Sequence, residues 1–169
     1  MTEEVSMDGF AKKDDILGPS LLDVMQNMNL SSLKATFCTR SCLVARFPET
    51  DADGTKKIQD FFTKTVEMLN CDASGLLLMQ EGTLCALLEC TADQFSEICV
   101  EIRDFKYLSD VKVVATCDDN STKLLQSIYF RKLLISRPTD VNDGDITLAS
   151  STMFFNLITL ARRLGSQPS

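Results

Sequence analysis

Ser74-Gly75-Leu76-Leu77-Leu78-Met79, then Gln80-Glu81-Gly82, then Thr83-Leu84-Cys85-Ala86-Leu87-Leu88-Glu89-Cys90 is the stretch on which the fold turns. Two short apolar runs parted by a polar link with a glycine read as a β-hairpin, because Gly82 can take the positive φ that a tight reversal needs. Both runs are expected to be central strands. Directly after them, Thr91 and Gln94 stand at capping-box spacing. Phe95, Ile98, Cys99 and Ile102 then recur on one face as far as Asp104, which gives a helix.

Working outward, Cys42-Leu43-Val44-Ala45-Arg46-Phe47 reads as a first strand stopped by Pro48, within a mixed segment that begins at Leu33. Glu49 to Thr55 reads as a loop. Ile58, Phe61, Phe62, Thr65, Val66 and Leu69 fall at helical spacing and predict an amphipathic helix from Lys56 to about Asn70. Past the second helix, the β-branched run from Val111 to Thr116 reads as a strand. Leu124 to Ser136 leaves two readings open, a helical turn around Lys123 to Tyr129 or an edge strand at Leu133 to Ser136. A last helix, capped by Ser150 or Ser151, carries Met153, Phe154, Leu157, Ile158, Leu160, Ala161 and Leu164 and stops at Gly165.

The order strand, helix, strand, strand, helix, strand is that of an α+β, ferredoxin-like sandwich, βαββαβ with an antiparallel sheet, here with N- and C-terminal helical extensions. Three segments follow: a mobile arm and short helix over residues 1–32, the ferredoxin-like domain over 33–137, and a loop with a C-terminal amphipathic helix over 138–169. In the first of these, Leu21, Leu22, Val24, Met25 and Met28 follow Pro19 with helical spacing.

Composition narrows the function. With 24 acidic and 17 basic residues the net charge is −7, and no basic stretch gathers the lysines and arginines, which argues against nucleic acid as a partner. Seven cysteines, an odd number, and a charged start without an apolar leader imply a reducing, cytoplasmic setting and free, core-packed thiols. No run approaches the roughly 20 apolar residues that span a bilayer, so no membrane is expected. The chain has no histidine, which excludes Ser-His-Asp, Cys-His and histidine-metal chemistry. No C-x-x-C pair, Walker loop or G-x-G-x-x-G is present, so neither a metal nor a nucleotide cradle is indicated. Arg46 stands where an acylphosphatase-like site would want an arginine, but the Pro48-Glu49-Thr50-Asp51 that follows opposes a phosphate. Glu81, Glu89 and Asp104 read as turn, strand-end and helix-end carboxylates rather than acid-base groups.

Gly75-Leu76-Leu77-Leu78-Met79, Gly82 and Leu87-Leu88-Glu89 together resemble the hairpin of the blue-light-sensing BLUF domains, which reads G-L-L-L-Y-x-x-G-x-F-x-Q-x-L-E-G. Ile102-Arg103-Asp104-Phe105-Lys106-Tyr107 and Val111-Lys112-Val113 occupy the places of the family's I-x-x-D-x-R-H and its next strand. The resemblance covers Cys42 to Phe130. It implies a flavin between the two helices, held by an asparagine and a glutamine, with a tyrosine on the first strand. Here the glutamine position falls on Ala86 and the asparagine position on Met68, neither of which can make those bonds. The first strand offers Arg46 and Phe47 instead of tyrosine, and Tyr107 replaces the family's histidine.

The expectation is therefore a non-catalytic protein-interaction or structural module without a cofactor. The further resemblance to degenerate BLUF-like proteins of testis and motile cilia implies a component of a ciliary or flagellar axoneme, in the cytoplasm and cytoskeleton. Partners are expected to be proteins in a multi-protein assembly, with a homodimer among the arrangements allowed. Met153, Phe154, Leu157, Leu160 and Leu164 are the candidate partner-binding residues, although packing on the open sheet face would explain them equally well. The alternative is a flavin or other small-ligand sensor with altered contacts, its pocket lined by Phe62, Met68, Leu77 and Ala86.

Overall fold

The computed structural model describes residues 37–49, 53–134 and 144–166. The expected arm and short helix of residues 1–32 lie outside them. Five strands and three helices follow one another: β1 (Cys38–Arg46), α1 (Gly54–Met68), β2 (Ser74–Gln80), β3 (Thr83–Cys90), α2 (Ala92–Asp104), β4 (Ser109–Asn120), β5 (Ile128–Lys132) and α3 (Ile146–Gly165). The strands form one sheet in the order β4-β1-β3-β2-β5. Neighbours among the first four run antiparallel, as a ferredoxin-like sandwich requires, while β5 joins the free edge of β2 in parallel. The ambiguous segment thus holds a strand, placed earlier than the edge strand expected at Leu133 to Ser136 and in place of a helical turn, and residues 135 and 136 lie outside the described residues.

The hairpin places both apolar runs at the centre. Gln80 pairs with Thr83, so the turn is only Glu81-Gly82, and both residues take positive φ, 39° and 73°. That combination twists with the strands it joins. Because side chains alternate along β3, Leu84, Ala86, Leu88 and Cys90 face α1 and α2, while Cys85 and Leu87 face the other way. On the first face, Ile58 and Phe62 of α1 and Ile98 and Ile102 of α2 close over Leu43, Leu77, Met79 and Leu88. The capping box of α2 forms as spaced: Gln94 N donates to Thr91 Oγ1 at 3.3 Å and Thr91 N donates to Gln94 Oε1 at 3.2 Å.

The opposite face is covered by the chain's own last helix. Phe154, Leu157 and Ala161 of α3 pack with Cys42, Leu76, Leu87 and Leu125 into a second core. This helix starts earlier than Ser150 or Ser151. Asp145 is its cap, accepting from Thr147 N at 2.8 Å, because a carboxylate satisfies the free amides of the first turn. Ser151 sits inside the helix and donates to Thr147 O. The helix does end at Gly165, but without a left-handed φ there. The carbonyl oxygen of Leu124 lies 2.1 Å from where a Cβ would stand, so glycine is needed for close approach rather than for the turn.

The long edge strand β4 is blunted. Cys38 faces Asn120 yet Arg40 faces Cys117, and Val44 faces Lys112 yet Arg46 faces Ser109, so β4 carries an extra residue at each end of the ladder, with a third slip between Cys42 and Leu43. Asp119 and Asp110, inside the outer two, take positive φ of 57° and 49°. Aspartate tolerates that region better than most residues, and such bulges protect an edge from pairing with another chain.

Candidate functional site

Three places in the molecule gather functional chemistry, and the first is the one the family resemblance indicates. Between α1, α2 and the sheet, Phe62, Leu77 and Ala86 are fully buried among apolar neighbours. Met68, the fourth residue of the anticipated pocket, is 62% exposed at the last turn of α1. The inward stripe of α1 runs through Ile58, Phe62 and Thr65, and a residue three further on is carried off that face.

Outside that core an aromatic ladder bridges α1 and the segment after α2. Phe61 stacks on Phe105 with centroids 4.0 Å apart and planes 3° from parallel, and Tyr107 continues the row at 5.9 Å from Phe105. Lys57 Nζ lies 5.2 Å from the centre of the Tyr107 ring, within cation-π range. Lys57, Phe61, Lys64, Phe105 and Tyr107 border an open groove of about 370 Å³.

The second place is α3. Of the candidate partner-binding residues, Phe154 and Leu157 are buried against the sheet and Met153 and Leu164 partly so, while Leu160 is left exposed. Leu148 and Phe155, each 66% exposed, stand seven residues apart on the outward stripe. Phe155 belongs with Met153 and Phe154 to the Met- and Phe-rich stretch that marks this helix in the sequence, whereas Leu148 went unread. Placing the helix start at Ser150 or Ser151 left Leu148 outside it, and a heptad count from Phe155 would have found the pair.

The third is a buried ionic network around Glu89, the carboxylate of the Leu87-Leu88-Glu89 motif, whose partner Arg40 the sequence did not single out. Arg40 stands directly opposite Glu89 in the β1–β3 ladder, with Nε 2.7 Å from Oε1, and Glu89 is fully buried. The carboxylate also accepts from the amides of Leu124 and Leu125, at 2.9–3.0 Å, and Arg40 donates to the Thr122 carbonyl at 2.5 Å and to Asn120 Oδ1. Every polar atom of the pair has a partner, so it acts as a clamp that ties the loop between β4 and β5 to the sheet centre. Arg46, by contrast, is exposed and lies 3.7 Å from Asp110. No helix among the described residues is long and apolar enough to cross a membrane.

No protein-family model matches the chain, and no curated protein matches it. Solved structures do. BlsA in its photo-activated state superposes with a TM-score of 0.51 at 16% identity, over 72% of this chain and 94% of BlsA. A bacterial light-regulated adenylyl cyclase gives 0.50 at 12% identity, over 75% of this chain but only 35% of the cyclase. BlrB, a BLUF protein in its dark state, gives 0.49 at 13% identity, over 58% of this chain and 74% of BlrB. The ground state of BlsA is spanned over 65% of its length.

The chain has the BLUF-like fold. The family resemblance, not the fold, implies a flavin between α1 and α2, where hydrogen-bonding side chains should meet the ring. The residues present do not fit a flavin held in that way: Ala86 is buried and apolar, Met68 points out of the core, and Leu43, Ile58, Phe62, Leu77, Ile98 and Ile102 fill the space with hydrocarbon.

Proposed function

We propose that this BLUF-like domain is a non-catalytic module that engages a protein partner through the outer face of α3. The observation that carries this reading is the division of that helix: Phe154, Leu157 and Ala161 hold it on the sheet, while Leu148 and Phe155 are exposed to solvent. Large apolar side chains aligned on an exposed stripe favour an interface over isolated surface variation. A place in a ciliary or flagellar axoneme is the finer form of the proposal, and a homodimer through the same stripe is its simplest case. Leu148→Asp with Phe155→Ser should abolish co-purification of a defined partner, or dissociate a dimer in sedimentation, without lowering the melting temperature. Retention of both associations overturns the reading.

The likeness of the fold to light-regulated proteins favours a second reading, a flavin or other small-ligand sensor with altered contacts. The groove of Lys57, Asp60, Phe61, Lys64, Phe105 and Tyr107 supports it, since stacked aromatic rings suit a planar ligand. Visible absorbance of protein purified from riboflavin-fed cells, with mass spectrometry of released ligand, distinguishes the two. A flavin band weakened by Phe105→Ala would establish the sensor; colourless protein leaves the interaction module.

A further inference from the structure

No charged residue occurs between Asp145 and Arg162, so about four turns of α3 present a surface without charge. The other described helices do not: Lys56, Asp60 and Lys64 stand exposed on α1, and Asp93, Glu97 and Arg103 on α2. Both edge strands expose charge as well, at Lys112 on β4 and Arg131 on β5. On the charge-free surface a projecting ring and a hollow belong to the same helix. Phe155 is 66% exposed. A groove of about 590 Å³ runs along α3, bordered by Leu78 of β2 and by Ala149, Thr152, Asn156 and Leu160. Ala149 and Thr152 are themselves exposed, so the wall of the groove is low where these small residues stand.

We infer that a second copy of this chain covers this surface, its α3 packed antiparallel on the first about a twofold axis beside Thr152. The inference rests on the reading of α3 as an interface and names the partner. Two observations select an identical copy. Two chains of net charge −7 repel, and a face without charges adds no contact between like charges to that repulsion. A twofold contact also uses the same patch on both copies, so the patch must carry both the projecting group and the hollow that receives it. Phe155 and the groove at Ala149 meet that condition, whereas a different protein would need only one of them. An axis at Thr152 pairs the positions equally far before and after it. Phe155 of each copy then meets Ala149 of the other and enters the groove beside Leu78, while Leu148 meets Asn156. Ala149 and Thr152 are small enough to let the two helix axes approach to the usual distance of about 8–10 Å.

The test uses the full chain with Cys85, Cys99 and Cys117, the described thiols that are not buried, replaced by alanine. Thr152→Cys in this background should form a reducible dimer when oxidised with copper-phenanthroline at low protein concentration, because position 152 meets its own copy. Thr159→Cys should not, although it is equally exposed, because the same axis sets the two copies of position 159 about 21 Å apart along the helices. In sedimentation equilibrium the parent chain should dimerise, and Phe155→Ala should raise the dissociation constant about thirtyfold. Ala149→Phe, which fills the hollow, should also weaken the dimer, whereas both changes together should restore it by exchanging ring and hollow across the axis. Equal cross-linking at 152 and 159, or a double variant no tighter than the single ones, overturns the inference. A parent chain that stays monomeric overturns it too; loss of a co-purified protein on Leu148→Asp with Phe155→Ser would then leave the interaction module standing and refute only the second copy.

Discussion

Arg40 and Glu89 face each other across the two central strands, and the carboxylate that receives the guanidinium also receives the amides of Leu124 and Leu125. One buried charge therefore holds together β1, β3 and the loop that leads into β5. Removing either partner leaves the other ionised and without its counter-charge in a dry site, which costs about 3–5 kcal/mol. Arg40→Met and Glu89→Leu should each lower the unfolding free energy by that amount, read from urea denaturation. Together they should cost less than the sum, because the second change no longer strands a charge. Two additive losses would mean that the pair is not coupled.

Ala86 is the position where a flavin-holding glutamine is expected, and it is fully buried against apolar neighbours. Ala86→Gln should therefore destabilise the chain by about 1–3 kcal/mol through overpacking, with a further cost for the unpaired amide. Equilibrium unfolding with and without added flavin checks this. Stabilisation by flavin in the variant would show that the fold can still open a pocket there.

Gly165 allows the end of α3 to reach the Leu124 carbonyl, where a Cβ would stand at 2.1 Å. Gly165→Ala must displace backbone from backbone. The expected result is a loss of about 1–3 kcal/mol and faster amide exchange at Leu124 and Leu125, the residues Glu89 clamps. Unchanged exchange there would separate the helix end from the loop.

Cys90 provides a pH dependence. Burial pushes its thiol up to about 12 from the ordinary 9.0. The unfolded chain releases this proton first, so the contribution to stability is whole below 9.0 and is lost as pH rises toward 12. Each such thiol adds at most about 1.4 kcal/mol per pH unit to the decline. Cys90→Ala should show a shallower fall in urea midpoint over that window than the parent chain, and equal slopes would refute the assignment.

Local chemistry made much of the fold legible. The pair Glu81-Gly82 specifies the hairpin turn, Thr91 and Gln94 specify the start of α2, and the spacing of Ile58, Phe62 and Thr65 specifies which side of α1 is buried. These signals act within a few residues, so they survive in a one-dimensional reading. The start of α3 was misplaced because serines and Asp145 compete as caps, and only the geometry of the first turn decides between them.

The sequence by itself determined the order of the elements from β1 to β4 and the ferredoxin-like core they form, since each depends on residue type at a given position. Tertiary structure decided the rest. Whether α3 covers its own sheet depends on the shape match of Phe154, Leu157 and Ala161 to Leu76 and Leu87, which lie far away in the chain. The pairing of Arg40 with Glu89 depends on strand register, which brings distant residues side by side and leaves no trace in local spacing.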